Sequence, residues 1–374
     1  MNRKEQFNQL FPNTPAFRWK QIEQAFFVSS ISGWDGVTSL SKEMREKLKD
    51  LPWMSVSANT VMVSKKKDTH KALLNLADGQ IVESVLMENV RGEWTICVSS
   101  QVGCAMRCGF CATGKMGLKR SLTSDEIIDQ YRFWQTYLSN STTPPIHDSI
   151  TPPRRISNVV FMGMGEPLAN YEGVKETLSV WLAHTDLGKT RITVSTVGVL
   201  PRLEQILTDK NWPHVRLAIS LHSAVAETRK QIVPTSYDDF LPKLADWARR
   251  YLAALGNRRH HLTFEYVMLK GVNDTIEQAQ ALAAFVRSIG DVRCNLIPYN
   301  LTDCEFERSE DNQISRFLAV LGQAGVTAMK RKTMGDDIAA ACGQLIVLTA
   351  AVTAATVVSG VAPDGGIDKS AKGL

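Results

Sequence analysis

Apolar positions in the first sixty residues recur at helical spacing. Phe7, Leu10, Phe11, Phe17, Trp19, Ile22, Phe26 and Phe27 follow that pattern, broken at Pro12 and Pro15. The run Ser41-Lys-Glu-Met-Arg-Glu-Lys-Leu reads as a further helix with a capping serine and a charged face. Two strand-like runs follow at 59–64 and 81–86, with Lys65, Lys66 and Lys67 between them. The lysines suit a basic hairpin, and contact with an RNA backbone is the sharper alternative. From Trp94 onward the pattern changes. Short apolar runs at 95–99, 158–162, 191–195, 215–220, 262–268 and 292–298 alternate with helix-length segments at 123–137, 173–183, 239–255, 276–288 and 311–325.

Alternation of this kind implies parallel strands joined by crossover helices. It predicts an α/β fold, a partial or complete β/α barrel, with a doubly wound sheet as the alternative. In both, chemistry belongs at the C-terminal ends of the strands. The expected divisions are a small, mainly helical N-terminal accessory domain at 1–60, a hairpin-like connector at 61–93, the barrel at 94–345 and a tail at 346–374. The polar, proline-rich stretch 139–155 reads as an exposed insertion. Residues 345–362 carry no charge, but Ala, Thr, Val, Ser359 and Gly360 make them a packed or disordered tail rather than a membrane span.

Composition changes the picture little. The chain of 374 residues is 44% apolar and 22% charged, which is ordinary for a globular protein. A net charge of +5 permits a polyanionic partner without requiring one. The first residues, MNRKEQFNQLF, lack the apolar core of a secretion signal, so a cytoplasmic location is expected.

The cysteines change it more. Of the seven, Cys104, Cys108 and Cys111 form a CxxxCxxC motif directly after the first barrel strand. In a reducing compartment such clustering favours metal ligation over disulfides. Three thiolates on one loop can hold three irons of a cubane cluster and leave the fourth iron open. A zinc site completed by His222 is the alternative, although zinc motifs usually pair two C-x-x-C units and only one is present. Gly163-Met-Gly165-Glu166-Pro follows the second barrel strand, where glycines admit a ligand close to the backbone and a carboxylate can accept from an ammonium. Ser195 ends the third strand, Ser220, Leu221 and His222 end the fourth, and Asn300 follows the sixth. Cys342 lies downstream of Arg331 and Lys332, cations that favour a thiolate. Cys294 reads as core, and Cys304 has no assignment.

Together these motifs resemble one family. The strings Cys97-Val-Ser-Ser-Gln-Val-Gly-Cys104, Cys111-Ala-Thr-Gly-Lys, Met162-Gly-Met-Gly-Glu166-Pro, Ser195-Thr-Val-Gly, Ser220-Leu-His222 and Gly335-Asp-Asp-Ile-Ala-Ala-Ala-Cys342-Gly-Gln-Leu are similar to the bacterial radical S-adenosylmethionine (SAM) RNA adenine methyltransferases. That family includes enzymes acting on adenine C2 of 23S ribosomal and transfer RNA and others acting on C8. The likeness runs from about the first helix to Leu345, and the insertion and the tail depart from it.

The resemblance implies a [4Fe-4S] cluster on Cys104, Cys108 and Cys111. It implies a SAM pocket at Gly165, Glu166, Ser195, Ser220, Leu221, His222 and Asn300, with two SAM molecules used per turnover. One SAM methylates Cys342, and a second yields a 5′-deoxyadenosyl radical that takes a hydrogen from that methyl. The carbon radical then joins the adenine, a carbon that ordinary polar methyl transfer cannot reach. Glu83 matches the base that removes the ring proton, one residue further from Cys97 than is usual. Cys97 matches the thiol that releases the product by forming a disulfide with Cys342. The expected partners are 23S ribosomal RNA, transfer RNA as a second substrate, and an electron donor that reduces the cluster. A monomer away from membranes is expected. C2 is favoured over C8 because Lys332-Thr-Met-Gly-Asp-Asp is closer to the C2 group. Two alternatives are a non-catalytic RNA-binding protein with a structural metal and a radical SAM enzyme with a substrate other than RNA. Neither accounts for Cys97 and Cys342.

Overall fold

The computed structural model describes residues 2–140, 155–256, 262–345 and 356–359. The chain begins with three helices, α1 (Arg3–Leu10), α2 (Phe17–Ala25) and α3 (Lys42–Leu48). A capping box between Asn2 and Glu5 starts α1, and the Ser41 side chain caps α3. Their aromatic positions close on one another, so Phe7, Trp19, Ile22, Phe26, Trp34 and Leu48 form a core of their own.

Strands β1 (Val56–Val63), β2 (Thr69–Leu76) and β3 (Ile81–Glu88) then run antiparallel. The barrel series is β4 (Trp94–Cys97), the short pair β5 (Gln101–Gly103) and β6 (Leu118–Ser121) around α4 (Ala112–Lys115), and α5 (Ser124–Asn140). It continues with β7 (Ile156–Phe161), α6 (Tyr171–His184), β8 (Ile192–Thr196), α7 (Leu200–Thr208), β9 (Arg216–Ser220), α8 (Ala226–Ile232) and α9 (Phe240–Leu255). Last come β10 (Leu262–Met268), α10 (Ile276–Ile289), β11 (Arg293–Pro298), α11 (Asp311–Gln323), β12 (Ala328–Lys330) and β13 (Thr356–Ser359).

Strands β4, β7, β8, β9, β10, β11 and β12 are parallel and lie side by side in chain order. A doubly wound sheet needs the order to reverse at a switch point, so this order excludes that alternative. Right-handed crossovers taken always in one direction put the helices on one face of the sheet. The sheet then curls around its other face, which is the geometry of a partial barrel. It stays open, because β4 continues through β3, β2 and β1 to β13 while β12 forms the opposite edge.

The strand readings for the barrel hold to within a few residues, but β12 is a seventh parallel strand that the apolar pattern does not show. Nor is β2 foreseen. Its sequence THKALLNL opens with the polar Thr69, His70 and Lys71, and the alternation of Ala72, Leu74 and Leu76 with Leu73 and Asn75 is too short to stand out. The lysine triplet is an exposed turn between β1 and β2, and these strands are part of the main sheet rather than a separate hairpin. Of the expected insertion, 141–154 lie outside the described residues, as do 346–355 and 360–374 of the tail. Between the last two, β13 pairs with β1. Among the described residues no helix is long and apolar enough to cross a membrane.

Docking of the helical unit onto the barrel rests on buried charge. Asp129 of α5 pairs with Arg3 at 3.1 Å and with Arg132, and it accepts from the Ser55 backbone and hydroxyl at 2.6 and 2.7 Å. Arg132 donates in turn to the carbonyls of Phe26 (3.0 Å) and Trp53 (2.8 Å). Burial pushes the Asp129 carboxyl upward, but the two guanidiniums and the Ser55 donors outweigh it and hold it below the usual carboxylate range.

Candidate active site

The cysteine loop leaves not β4 itself, as the spacing predicts, but the short strand β5 just after it, and is pinned at both ends. The Cys104 amide donates to the Gly117 carbonyl at 3.0 Å, closing the β5–β6 hairpin. Gly103 holds φ at +75°, and a Cβ there would stand 1.8 Å from the Gly117 oxygen, so only glycine fits. The Gly109 amide donates to the Ile232 carbonyl at 2.9 Å and the Ala112 amide to the Gly343 carbonyl at 2.8 Å. The second bond ties the cysteine loop to the segment that carries Cys342.

Cys104, Cys108 and Cys111 line a cleft of about 980 Å³, counted out to solvent, at the C-terminal ends of the barrel strands. Burial pushes the Cys104 thiol up to about 12, helped by Glu166 and Cys111. Burial also raises Cys108 and Cys111, and Cys108 is raised further by its two neighbours. A buried trio of thiols that repel one another as thiolates fits a cationic iron–sulfur group better than it fits an empty pocket. Among the described residues no three His, Cys, Asp or Glu side chains meet at a single-ion site. His222 holds φ at +60°, accepts the Val267 amide through Nδ1 at 3.1 Å and packs edge-on to Phe110. Burial, then Arg229, drives its pKa down to about 3, so it is neutral.

Arg229 of α8 was not foreseen, and nothing in Ala-Glu-Thr-Arg distinguishes it from a surface helix cation. It is buried and donates to the carbonyls of Ser220 (2.9 Å) and Val197 (2.7 Å) and to that of Leu221. It therefore fixes the ends of β8 and β9 beside Cys108.

Gly165, Glu166, Ser195, Ser220, His222 and Asn300 all line the same cleft. Leu221 does not; its side chain is buried. Gly165 holds φ at +98°, and a Cβ there would come within 2.5 Å of Gln101. The Glu166 amide donates to Gln101 Oε1 at 2.9 Å. Its carboxylate accepts the amides of Leu168 (2.9 Å) and Val197 (2.8 Å), so the glutamate clamps the turn after β7 to the end of β8. The Thr196 hydroxyl also bonds to this carboxylate, and burial still raises its pKa above the usual carboxylate range. The hydroxyls of Ser195 and Ser220 lie 3.4 Å apart.

A second cavity of about 650 Å³ adjoins the first. Cys97, Met162, Asn300, Arg331, Lys332 and Cys342 are among its walls, and Cys342 lines both spaces. Asn300 Nδ2 donates to the Cys342 carbonyl at 3.0 Å and holds that loop at the junction. Burial pushes the Cys97 thiol up to about 12, the charge of Cys342 raises it, and Arg331 opposes both. Arg331 is itself held, its amide on the Leu296 carbonyl at 2.8 Å and its guanidinium 3.3 Å from Glu265, which accepts from Asn295 at 2.7 Å.

Glu83 sits on the face of the sheet that carries Cys97, because Val85, two residues on, pairs with Cys97. It lines neither cavity. It is buried and ion-paired with Lys71 at 3.2 Å. Cys294 is core, as expected, and Cys304 stands in the loop after β11, within electrostatic reach of Cys111.

Comparison with known structures decides the family. A radical SAM methyltransferase from Sphaerobacter thermophilus is 34% identical, with a TM-score of 0.81 over 92% of this chain and 97% of that one. The chain belongs to the radical SAM methyltransferases. Streptococcus suis SuiB bound to S-adenosylmethionine is also similar, at 13% identity and TM-score 0.44 over 66% of this chain and 55% of that one. So is a domain of a pyruvate-formate lyase-activating enzyme from Bacteroides vulgatus, at 17% identity and TM-score 0.36 over 47% of this chain and 99% of that one. No family model matches the chain. For a radical SAM methyltransferase, the arrangement above sets three thiols, a backbone-lined cleft and a fourth, exposed thiol around one space.

Proposed function

We propose that this radical SAM methyltransferase adds a methyl group to an unreactive ring carbon of an adenine in RNA, C2 rather than C8. Its expected substrates are 23S ribosomal RNA and also transfer RNA. Cys104, Cys108 and Cys111 would hold a [4Fe-4S] cluster, and Gly165, Glu166, Ser195, Ser220, His222 and Asn300 would surround SAM, with Leu221 behind them in the core. When reduced by an electron donor, the cluster would supply the electron that splits SAM and so the radical that activates the methyl on Cys342.

The protein's own residues account for the rest. Cys342 accepts a methyl on its sulfur, in a cavity that it shares with the Arg331 guanidinium. Its methylene then bonds to the adenine. Glu83 takes the ring proton, and the one unpaired electron that radical addition leaves on the ring would return to the cluster that supplied it, so the ring is aromatic again. Cys97, having lost its proton, attacks the Cys342 sulfur; the sulfur–carbon bond breaks with its electron pair on the methylene carbon, which takes a proton to become the methyl, and a Cys97–Cys342 disulfide is left behind.

One observation carries this reading: Cys342 lines both the cleft of the three thiols and the cavity of Cys97. A carrier that is charged on one side and unloaded on the other needs that position. The exposed turn of Lys65, Lys66 and Lys67 supports a polyanionic substrate, since the Lys65 amide donates to Asp337 of the Cys342 loop at 2.7 Å.

The test is to incubate iron-reconstituted protein with reductant, methyl-labelled SAM and 23S ribosomal RNA, then digest the RNA and identify its nucleosides by mass spectrometry. Labelled 2-methyladenosine is expected. Cleavage of SAM without any methylated adenine, in ribosomal or transfer RNA, would overturn the reading.

A further inference from the structure

Lys71 has no part in the chemistry above, yet it is a buried lysine within reach of two of its components. It stands on β2, and its side chain is 6% exposed. Its ammonium lies 3.2 Å from Glu83 Oε1 and donates to the Ala339 carbonyl at 3.0 Å. Glu83 is still more deeply buried, its side chain 1% exposed. Ala339 belongs to the loop that ends in Cys342 and holds φ at +50°, a conformation that residues with a side chain rarely adopt.

Two further contacts dock that loop on the same strands. The Lys65 amide donates to Asp337, and Thr69 packs so closely on Gly335 that a Cβ there would come within 2.6 Å of the threonine methyl. Lys71 is thus the bridge between the carboxylate on β3 and the segment that carries Cys342. A buried ion pair adds little net stability, because desolvation offsets the attraction, so stability alone does not account for it. Replacing the lysine with an uncharged residue takes a cation from 3.2 Å of the buried carboxylate, which shifts it toward the neutral acid. A neutral carboxylic acid cannot take a proton.

We propose that Lys71 is the positioning residue for proton removal: it keeps Glu83 charged and fixes it to the loop of the methyl-carrying Cys342. This rests on the reading of Glu83 as the base and Cys342 as the carrier. Methylation of Cys342, SAM cleavage and bond formation to the RNA do not use Glu83, so they do not need Lys71. Only release of the product does.

The test compares full-length wild type, Lys71→Met, Lys71→Arg and Glu83→Ala, all reconstituted with iron and sulfide and given reductant, SAM and labelled 23S ribosomal RNA. Four quantities are read: iron content, methyl on the Cys342 peptide, 5′-deoxyadenosine formed, and the covalent protein–RNA band on a denaturing gel. Lys71→Met should keep the first two within about twofold and slow product release roughly 10- to 100-fold, tenfold for each unit by which the carboxyl is raised above the working pH. The band should accumulate in Lys71→Met as in Glu83→Ala. Lys71→Arg should restore release, since it returns the charge. If Glu83→Ala accumulates the band and Lys71→Met turns over normally, the proposal fails and the base assignment stands. If Glu83→Ala turns over normally, the base assignment itself fails. If Lys71→Met loses methyl-Cys342, or Lys71→Arg rescues nothing, Lys71 supports the loop as a whole and the proposal is overturned.

Discussion

Cys97 and Cys342 line one cavity, where the charge of Cys342 raises the cost of ionising Cys97, although one ends the first barrel strand and the other follows the last. Arg331 lines the same cavity and is charged against both. Of the two thiols, the exposed one, Cys342, is the one that also reaches the larger cleft.

The two thiols should therefore fail at different steps. Cys342→Ala should lose both methylation of its own peptide and every trace of RNA product. Cys97→Ala should still form methyl-Cys342 and join to RNA, then accumulate a covalent species on denaturing gels. That species should vanish in the double variant. A clean Cys97→Ala lane, from protein that still makes methyl-Cys342, would remove Cys97 from the release step.

Each of Cys104→Ala, Cys108→Ala and Cys111→Ala should abolish cleavage of SAM to 5′-deoxyadenosine. Three ligands are the fewest that hold a cubane with one open iron. Iron content and chromatography of the nucleoside check this. A variant that keeps both would exclude its cysteine from the cluster.

Release should respond to pH through Cys97. With its thiol pushed up to about 12, the thiolate is scarce at neutral pH. Single-turnover release from preformed adduct should then quicken by roughly tenfold per pH unit between about pH 7 and 9. Arg331→Gln withdraws the opposing cation and should slow release throughout that window, about tenfold or more, with the slope retained. A flat profile would show that another step limits release.

Asp129→Ala should destabilise the protein by about 3–5 kcal/mol at neutral pH, because it takes the carboxylate from the buried Arg132 guanidinium and leaves Arg3 with Asp125 alone. The Asp129 carboxyl is held below its unfolded value, so its contribution is fully present above roughly pH 4 and is lost as pH falls through the folded value. Denaturant unfolding of wild type and variant at pH 7 and pH 3 checks the sign. A difference that stays constant across that range would refute the assignment.

Local pattern was enough to read the strand–helix alternation from Trp94, the cysteine loop after β4, and the Gly163–Glu166 turn after β7. Each is set by neighbours a few residues apart, through apolar periodicity, thiol spacing or the space a missing Cβ leaves. The strand order was not legible that way. Pairing between strands is a contact between distant segments, and only the fold shows that β12 continues the row in chain order and leaves the barrel open. Strand β2 was hidden because its charged residue, Lys71, is neutralised by Glu83 from the neighbouring strand. Arg229 likewise read as a surface cation, although carbonyls of β9 and of the loops after β8 and β9 supply its partners. Family resemblance named Cys97 and Cys342. Only tertiary structure put them on one cavity with Arg331, because burial and charge compensation depend on groups that meet after folding.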